Sequence, residues 1–255
     1  MIIPTLRCPI VFAHGLLGFD RLRLGRWVLA RYWAGIPEGL AAAGNRVLVA
    51  RVSPLGSVPE RAAQLKAFIN QHSPREPVHV FAHSMGGLDA RWMIARLGMA
   101  ERVLSLTTIG TPHRGSAFAD WGLRRLVPVC RFFFDLCGLS CQAFRDVSVA
   151  GCRAFNETVP DAAGVRYFSV AGRFDADWFF PEWALSWRVI EKEQGPNDGL
   201  VAIASASYGE DCTVWEGDHI SLINFPHPIA RARGRWTDRI PSYGGLVRRL
   251  ADEGF

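Results

Sequence analysis

The stretch Phe81-Ala82-His83-Ser84-Met85-Gly86-Gly87 decides how this chain folds. An apolar run over 78–82 stops at Ser84, glycines follow, and a helix-like stretch continues from Leu88 to Leu97. A strand that turns sharply into a helix with a serine at its apex is a nucleophile elbow. Small residues flank such a serine because the two backbones approach closely, and Ala82 departs from the usual Gly-x-Ser-x-Gly by one methyl group. The alternative is a serine in an ordinary turn, since Ser-x-Gly is a common sequence.

A second signal is the loop after the apolar run 9–13, where His14, Gly15 and Leu16 follow one another. Acyl transfer through a tetrahedral oxyanion requires N–H donors that are already in place. In hydrolases built on an elbow, one donor is the N–H after the nucleophile, here Met85, and the other comes from a loop of this kind. Leu16 is the candidate for that second donor. The neighbours expected to pack around the site are His14, Gly15 and His83, and Leu17 is a candidate wall of a substrate pocket.

A carboxylate and a histidine follow the serine along the chain. Asp198 lies in the turn-like Asn-Asp-Gly of residues 197–199, and His219 follows the short apolar run 213–215. The order Ser84, Asp198, His219 is the order of the α/β-hydrolase triad. The alternatives that remain open are Asp211 and Asp218 for the acid and His227 for the base, whereas His113 is expected to be structural.

The alternation of strand and helix patterns predicts an α/β fold with a mainly parallel central sheet flanked by helices. The elbow and the order of the triad residues favour an α/β-hydrolase fold within that class. The predicted strands are 9–13, 47–52, 78–82, 104–109, 166–171 and 212–215. The sequence from Ser57 to Glu60 is typical of a capping box that opens a helix reaching about Gln71. No linker or repeat divides the chain, so residues 1–255 are expected to form a single domain.

Residues 117–158 interrupt this rhythm with helical, unusually aromatic sequence and are predicted to form a helical cap inserted in the domain. Such a cap can be a lid that closes over an acyl pocket and opens at a lipid surface. It can also be a fixed helical excursion packed on the sheet. On the first interpretation, Phe132, Phe133 and Phe134 are the candidate lid and pocket residues.

Several stretches together carry a family resemblance. They are 9–20 (PIVFAHGLLGFD), 32–37 (YWAGIP), 47–53 (VLVARVS), 83–87 (HSMGG), 109–116 (IGTPHRGS), 155–160 (FNETVP) and 197–201 (NDGLV). With them the chain resembles the bacterial true lipases, the triacylglycerol lipases typified by those of pseudomonads. The resemblance covers most of the chain, is firm through Ser116 and is thin over 117–154.

The resemblance implies an ester hydrolase with Ser84 as nucleophile, His219 as base and Asp198 as its partner. It also implies Leu16 and Met85 as oxyanion donors. This chemistry needs no cofactor. The substrate implied is an apolar small-molecule or lipid ester, with transient contact to a lipid interface.

Two positions depart from the family pattern. The family has histidine after the nucleophile, where this chain has Met85, and a backbone donor tolerates that change. The family also holds a structural calcium with two aspartates, one of them two positions after the catalytic histidine, where this chain has Ser221. A neutral hydroxyl replaces a carboxylate poorly around a hard divalent cation, so no metal site is expected.

The composition argues against other classes of protein. Of the 29 basic residues only Lys66 and Lys192 are lysines, and the arginines that give the net charge of +5 are spread along the chain without a nucleic-acid motif. A nucleic-acid partner is therefore not expected. No apolar run approaches the ~20 residues that span a bilayer, so no transmembrane segment is expected.

The N-terminus and the cysteines bear on the compartment. No signal peptide precedes the first strand, which predicts a cytoplasmic protein if Met1 is the native start and a secreted one if a signal was removed. Cys8 is expected to be a buried free thiol. Cys137 and Cys141 are open between a disulfide and free thiols, and Cys130 and Cys152 lie in the same poorly matched segment.

A carboxylic-ester hydrolase is the favoured function, and lipase, short-chain esterase and polyester hydrolase are not separated by the sequence. A thioesterase or acyltransferase using the same triad is the first alternative. A catalytically inactive binding protein of the same fold is the second, and the presence of every triad residue counts against it.

Overall fold

A computed structural model describes residues 2–18, 21–24, 27–125, 142–175, 181–225, 231, 234 and 236–255. The strands are β1 Ile10–Ala13, β2 Arg21–Leu24, β3 Trp27–Arg31, β4 Val47–Val49, β5 Val78–His83, β6 Val103–Ile109, β7 Arg166–Arg173 and β8 Cys212–Glu216. The helices are α1 Ile36–Ala42, α2 Val58–His72, α3 Met85–Arg96, α4 Ala117–Arg125, α5 Gln142–Asp146, α6 Val149–Thr158, α7 Pro181–Gln194, α8 Ile203–Ala206 and α9 Ile240–Asp252. Single 3₁₀ turns lie at Ala100–Arg102 and Ser221–Ile223.

The central sheet has six strands in the order β4-β1-β5-β6-β7-β8, and every neighbouring pair is parallel. This confirms the predicted α/β-hydrolase class, with the carboxyl ends of the strands along one edge. All residues of β1 and β5 are buried. Their near-continuous apolar sequences suit strands that are covered on both faces.

Alternation along the strands divides the core into two layers. In β1, Val11 and Ala13 face a cluster that includes Leu65 of α2 and Met93 of α3. Ile10 and Phe12 face the opposite cluster, which includes residues of α1 and α9 such as Leu40 and Val247. Because successive side chains of a strand point to opposite faces, the sheet lies between two helical layers.

Two predicted elements have different bounds in the structure, and one small sheet was not predicted. The strand expected over 47–52 ends at Val49, because β1 ends at Ala13 and the N–H of Val52 donates to the ring of His14 instead. The helix expected from Leu88 already begins at Met85. A two-stranded antiparallel sheet formed by β2 and β3 was not predicted. The helix predicted after Ser57 is confirmed as α2.

Helices α4, α5 and α6 lie between β6 and β7, where the cap was predicted. Helix α4 packs against α5, α6 and α7. Phe132, Phe133 and Phe134 lie outside the described residues, as do Cys130, Cys137, Cys141 and His227. Cys8 and Cys152 are free thiols; Cys152 is buried, whereas Cys8 is partly exposed rather than buried as expected.

No helix within the described ranges combines the length and the apolar composition that crossing a bilayer requires.

Candidate active site

Ser84 sits at the apex of the turn between β5 and α3. Its backbone has φ 54° and ψ −132°, a conformation that non-glycine residues rarely adopt. Three hydrogen bonds hold this peptide: Ser84 N–H donates to the Ile109 carbonyl at 2.9 Å, and the Ser84 carbonyl accepts from the Thr111 hydroxyl at 2.8 Å and from Gly87 N–H at 3.1 Å. Strain of this kind costs about 1–3 kcal/mol and persists only where the surroundings hold it.

The elbow and the loop after β1 fit together because two glycines lack a side chain. A Cβ on Gly15 would lie 2.6 Å from Ser84 Cβ. A Cβ on Gly86 would lie 2.7 Å from the Ala13 carbonyl oxygen. Gly86 lies in the first turn of α3, where only glycine fits against the Ala13 carbonyl.

The loop after β1 leaves one N–H available beside Ser84. Gly15 N–H donates to the Tyr32 hydroxyl at 3.0 Å, and Leu17 N–H donates to the Pro54 carbonyl at 2.8 Å. Within the described residues no acceptor takes the Leu16 N–H. Met85 begins α3, and the first N–H groups of a helix have no acceptor inside it. In the described residues, the N–H groups of Leu16 and Met85 thus have no backbone acceptor, which is the property that the predicted oxyanion donors require.

Arg61 of α2 stabilises the loop after β1 through hydrogen bonds, a role that sequence reasoning missed. Its guanidinium donates to the carbonyl oxygens of His14 at 2.7 Å and Ser53 at 2.6 Å. It also pairs with the buried Asp89 carboxylate at 2.8 Å. Burial raises the pKa of Asp89 to about 7 although Arg61 opposes that shift. The one feature of the sequence that could have indicated this role is the position of Arg61 beside the apolar face of α2.

His219 and Asp198 form a short, buried polar contact at the site. His219 Nδ1 lies 2.7 Å from Asp198 Oδ2, and His219 N–H donates to the Asp198 carbonyl at 2.8 Å. The other carboxylate oxygen accepts from the N–H groups of Leu200 at 2.9 Å and Val201 at 2.7 Å. A carboxylate at Nδ1 places the imidazole proton there and leaves Nε2 as the acceptor nitrogen.

The residues considered as alternatives for the acid and the base have other hydrogen-bond or ion-pair partners. The Asp218 carboxylate accepts from the N–H groups of Ile220 and Ser221 and so caps the turn that carries His219. Asp211 pairs with Arg249 at 2.7 Å. His113 is fully buried, bonds to Thr108 at 2.9 Å and stacks on Tyr208 with ring centroids 4.1 Å apart. Burial lowers the pKa of His113 well below its usual range.

His14 and His83 lie beside the site, and each ring forms two polar contacts there. The ring of His14 bonds to the Gly15 carbonyl at 2.9 Å and accepts from Val52 N–H at 3.3 Å. The ring of His83 bonds to the Tyr32 hydroxyl at 2.7 Å and to the His219 carbonyl at 3.0 Å. Tyr32 has no local sequence signal for this contact, because it comes from a segment far along the chain.

A cavity of about 560 Å³ opens at the carboxyl edge of the sheet and contains Ser84 and His219 in its wall. Its other lining residues are mainly apolar: Leu16, Leu17, Tyr32, His83, Met85, Pro112, Ser116, Phe118, Ala119, Gly122, Phe144, Val147, Leu200, Val201, Ile220, Ile223 and Phe225. Leu17 lines it as expected and is 63% exposed. The cap contributes through Phe118 of α4 and Phe144 of α5.

The residues around Ser221 do not fit the calcium ion that the family resemblance implies. The Ser221 hydroxyl donates to the Asp218 carbonyl at 2.7 Å, and the Asp218 carboxylate is engaged by its own turn. The Arg239 guanidinium donates to the Glu216 carbonyl, so a cation already lies beside this turn. No group of three or more acidic, histidine or cysteine side chains suited to a metal occurs in the part of the chain that the structure describes.

Comparison with known sequences finds triacylglycerol lipases among the relatives. No protein-family model matches the chain. Triacylglycerol lipase 2 of Saccharomyces cerevisiae is 30% identical over 87% of this chain and 81% of its own length. Triacylglycerol lipases of Pseudarthrobacter phenanthrenivorans and Burkholderia plantarii are each 38% identical over 45% of this chain, covering 36% and 32% of their own lengths.

Solved structures share the fold. The mature form of the Bacillus licheniformis lipase BlEst2 superposes with a TM-score of 0.68 at 23% identity, over 89% of this chain and 91% of the other. The metagenomic carboxyl esterase MGS0156 gives a TM-score of 0.76 at 17% identity, over 97% of this chain and 76% of the other.

Proposed function

Because this chain belongs to the triacylglycerol lipase family and is a carboxylic-ester hydrolase, we propose that it hydrolyses apolar lipid esters with Ser84, His219 and Asp198 as its catalytic triad. One observation carries the assignment. The hydrogen bond of 2.7 Å between His219 Nδ1 and Asp198 frees Nε2 on the wall of an apolar cavity that Ser84 also lines. The family resemblance noted in the sequence is confirmed, so the chemistry follows from the roles of these three residues.

The reaction begins when His219 Nε2 takes the proton of the Ser84 hydroxyl and the oxygen attacks the ester carbonyl. The negative charge that forms on the carbonyl oxygen is stabilised by the N–H groups of Leu16 and Met85. The imidazolium gives its proton to the departing alcohol, and an acyl-enzyme remains. Water activated by His219 then releases the acid. Asp198 keeps the imidazole in the required tautomer and stabilises its charged form.

The lining of the cavity supports an acyl group as the part of the substrate that is buried. Each methylene removed from water contributes roughly 0.8 kcal/mol, so a longer chain gains binding free energy that an acetyl group lacks. Leu17 at the cavity and Val149 at the start of α6 are 63% and 40% exposed. Exposed apolar side chains at and near the cap favour transient contact with a lipid surface.

The test is a panel of p-nitrophenyl esters from acetate to palmitate, measured alongside emulsified triglyceride, with Ser84→Ala as the blank. We expect kcat/KM to rise from acetate towards longer chains and triglyceride to be hydrolysed. An enzyme that turns over acetate esters but neither longer esters nor triglyceride contradicts the proposal. Faster turnover of an acyl-CoA than of the matching p-nitrophenyl ester would instead favour a thioesterase.

A further inference from the structure

A continuous run of hydrogen bonds crosses the site beside the nucleophile and joins segments far apart in the sequence. Gly15 N–H donates to the Tyr32 hydroxyl oxygen at 3.0 Å. The Tyr32 hydroxyl lies 2.7 Å from His83 Nδ1, and His83 Nε2 lies 3.0 Å from the His219 carbonyl oxygen. Tyr32, His83 and His219 are each less than a tenth exposed, so water competes little for these bonds.

The direction of each hydrogen bond follows from the two ends. An amide N–H can only donate, so the Tyr32 oxygen accepts from Gly15. The Tyr32 proton points to His83 Nδ1, because that nitrogen carries no proton in the neutral ring when Nε2 donates to His219. A carbonyl oxygen can only accept, so the proton of the His83 ring is on Nε2 and is donated to His219. One tautomer of His83 satisfies both contacts.

Both side chains stay neutral in this environment. Burial lowers the pKa of His83 well below its usual range, and the nearby His219 adds to that shift. Burial also raises the pKa of the Tyr32 hydroxyl. The direction of the hydrogen bonds is therefore the same throughout the neutral pH range.

We propose that Tyr32 and His83 are positioning residues. They hold the loop that carries Leu16 and the main chain of the general base, His219, in fixed positions relative to each other. The proposal rests on the roles assigned above to Leu16 and His219. Gly15 directly precedes Leu16, so the bond from Gly15 to Tyr32 fixes the peptide that leads to the second oxyanion donor. The bond from His83 fixes the main chain of the base itself.

This link complements the Asp198 contacts. Asp198 holds the His219 ring and its N–H, whereas His83 holds its carbonyl oxygen. The ring centroids of His83 and His219 are 4.5 Å apart, so the two rings are in direct contact. The donor and the base act in the same step, and this set of bonds connects the segments that carry them.

The first test is Tyr32→Phe, which keeps the ring and removes the oxygen that joins Gly15 to His83. We expect kcat for p-nitrophenyl butyrate to fall roughly 10- to 100-fold, because a displacement near 1 Å is enough for such a loss. KM should change less than about threefold, because the aromatic wall of the cavity is kept.

The matched control is Tyr167→Phe. Tyr167 is also buried, and its hydroxyl also accepts a backbone N–H, that of Ala162 at 3.1 Å. It lies on β7 and does not line the cavity. If both variants lose similar Tm and both keep wild-type kcat, Tyr32 only packs and the proposal is overturned.

Variants of His83 test the link between the two residues. Gln at position 83 retains an N–H that can reach the His219 carbonyl, and Leu retains none, so His83→Gln should keep more kcat than His83→Leu. The double variant Tyr32→Phe/His83→Leu should lose little more kcat than His83→Leu alone, because residues that act as a unit are non-additive. Fully additive losses contradict the link.

A readout independent of activity is the ¹⁵N spectrum of the histidine side chains in the wild-type protein. The His83 signals should show a protonated Nε2 and an unprotonated Nδ1, and the opposite tautomer overturns the proposal.

Failure of a fluorophosphonate to label Ser84 in the wild type would remove the triad and this inference together. Normal labelling with the wrong His83 tautomer removes only the inference.

Discussion

Ser84 combines a proposed reactive role with an unfavourable backbone, at φ 54° and ψ −132°. The conformation exposes the hydroxyl in the cavity wall, and glycine is the residue that adopts it without strain. Hydrogen bonds from Thr111 and Gly87 hold the turn in place. Substitutions of Ser84 can therefore separate the loss of the nucleophile from the relief of backbone strain.

We expect Ser84→Ala and Ser84→Gly both to lose nearly all hydrolysis, because the covalent route is gone. A residual rate roughly 10³–10⁴ above that of water can remain from the oxyanion donors and binding. Ser84→Gly should be more stable than Ser84→Ala by about 1 kcal/mol, since it relieves the strain. Denaturant unfolding and fluorophosphonate labelling measure the two effects. Stoichiometric labelling of a different serine would show that the nucleophile lies elsewhere.

The choice among acidic residues gives a second prediction. Asp198→Asn should lower kcat by as much as ~10⁴ while the fold is kept, because an amide favours the wrong imidazole tautomer. Asp218→Asn should affect Tm more than the pH dependence of kcat, because this carboxylate accepts from N–H groups of the turn that carries His219. If Asp198→Asn stays active while Asp218→Asn does not, the assignment is reversed.

At the scale of elements, α6 forms hydrogen bonds with the loop that follows β6 and contains Pro112 and His113. The Asn156 amide donates to the His113 carbonyl at 2.8 Å, and the Cys152 thiol donates to the Pro112 carbonyl at 3.0 Å. Arg91 of α3 donates to Asn156 at 2.8 Å from the other side. These contacts favour a fixed position for α6.

Phe144 and Phe155 separate substrate contact from packing within this cap. Phe144→Ala should lower kcat/KM for octanoate and palmitate esters more than for acetate, because Phe144 lines the cavity. Phe155→Ala is the control, since Phe155 is 9% exposed and packs beside Trp92 outside the cavity. It should cost about 3–5 kcal/mol of stability and leave the chain-length profile unchanged. Identical profiles for both variants would mean that Phe144 does not touch the acyl group.

The turn that carries His219 gives a prediction about metal. The Ser221 hydroxyl and the Asp218 carboxylate are engaged within the turn, and Arg239 already places a positive charge beside it. EDTA should therefore leave both Tm and kcat nearly unchanged. A rise of several degrees in Tm on adding Ca²⁺ to EDTA-treated protein would show that a calcium site exists.

At the scale of the whole molecule, buried neutral histidines link folding stability to pH. His79 of β5 is fully buried against Ser105, and burial lowers its pKa to about 4. The unfolded state takes up this proton below about pH 6.5. Between about pH 6.5 and 4 the unfolded state thus binds more protons than the folded state. Stability is lost as the pH falls through that window, by about 1.4 kcal/mol per pH unit for this one group.

We expect His79→Gln to remove this contribution. Between pH 7 and pH 5, the unfolding free energy of wild type should fall by about 2 kcal/mol more than that of the variant. Urea unfolding at the two pH values measures the difference, and the other buried histidines are the same in both proteins. A difference between the proteins that does not change with pH would mean that His79 titrates normally in the fold.

The sequence by itself determined the class of the fold and the order of the three residues proposed as the triad. Apolar runs such as 78–82 and the serine that follows them are local signals, because strand burial and turn chemistry depend on neighbours in the chain. The order of Ser84, Asp198 and His219 is likewise read directly from the chain. Sequence reasoning was less accurate at Gly86, which looked like a loop residue and is helical.

Only the tertiary structure decided which residues meet. Asp198, Asp211 and Asp218 are all acidic residues within reach of His219 along the chain, and the fold brings Asp198 alone of these three to its Nδ1 among the described contacts. Tyr32 reaches His83 across a separation of 51 residues, and Phe144 reaches the cavity through the packing of the cap. Contacts of this kind depend on distances between elements, and no periodicity or local propensity in the sequence carries that information.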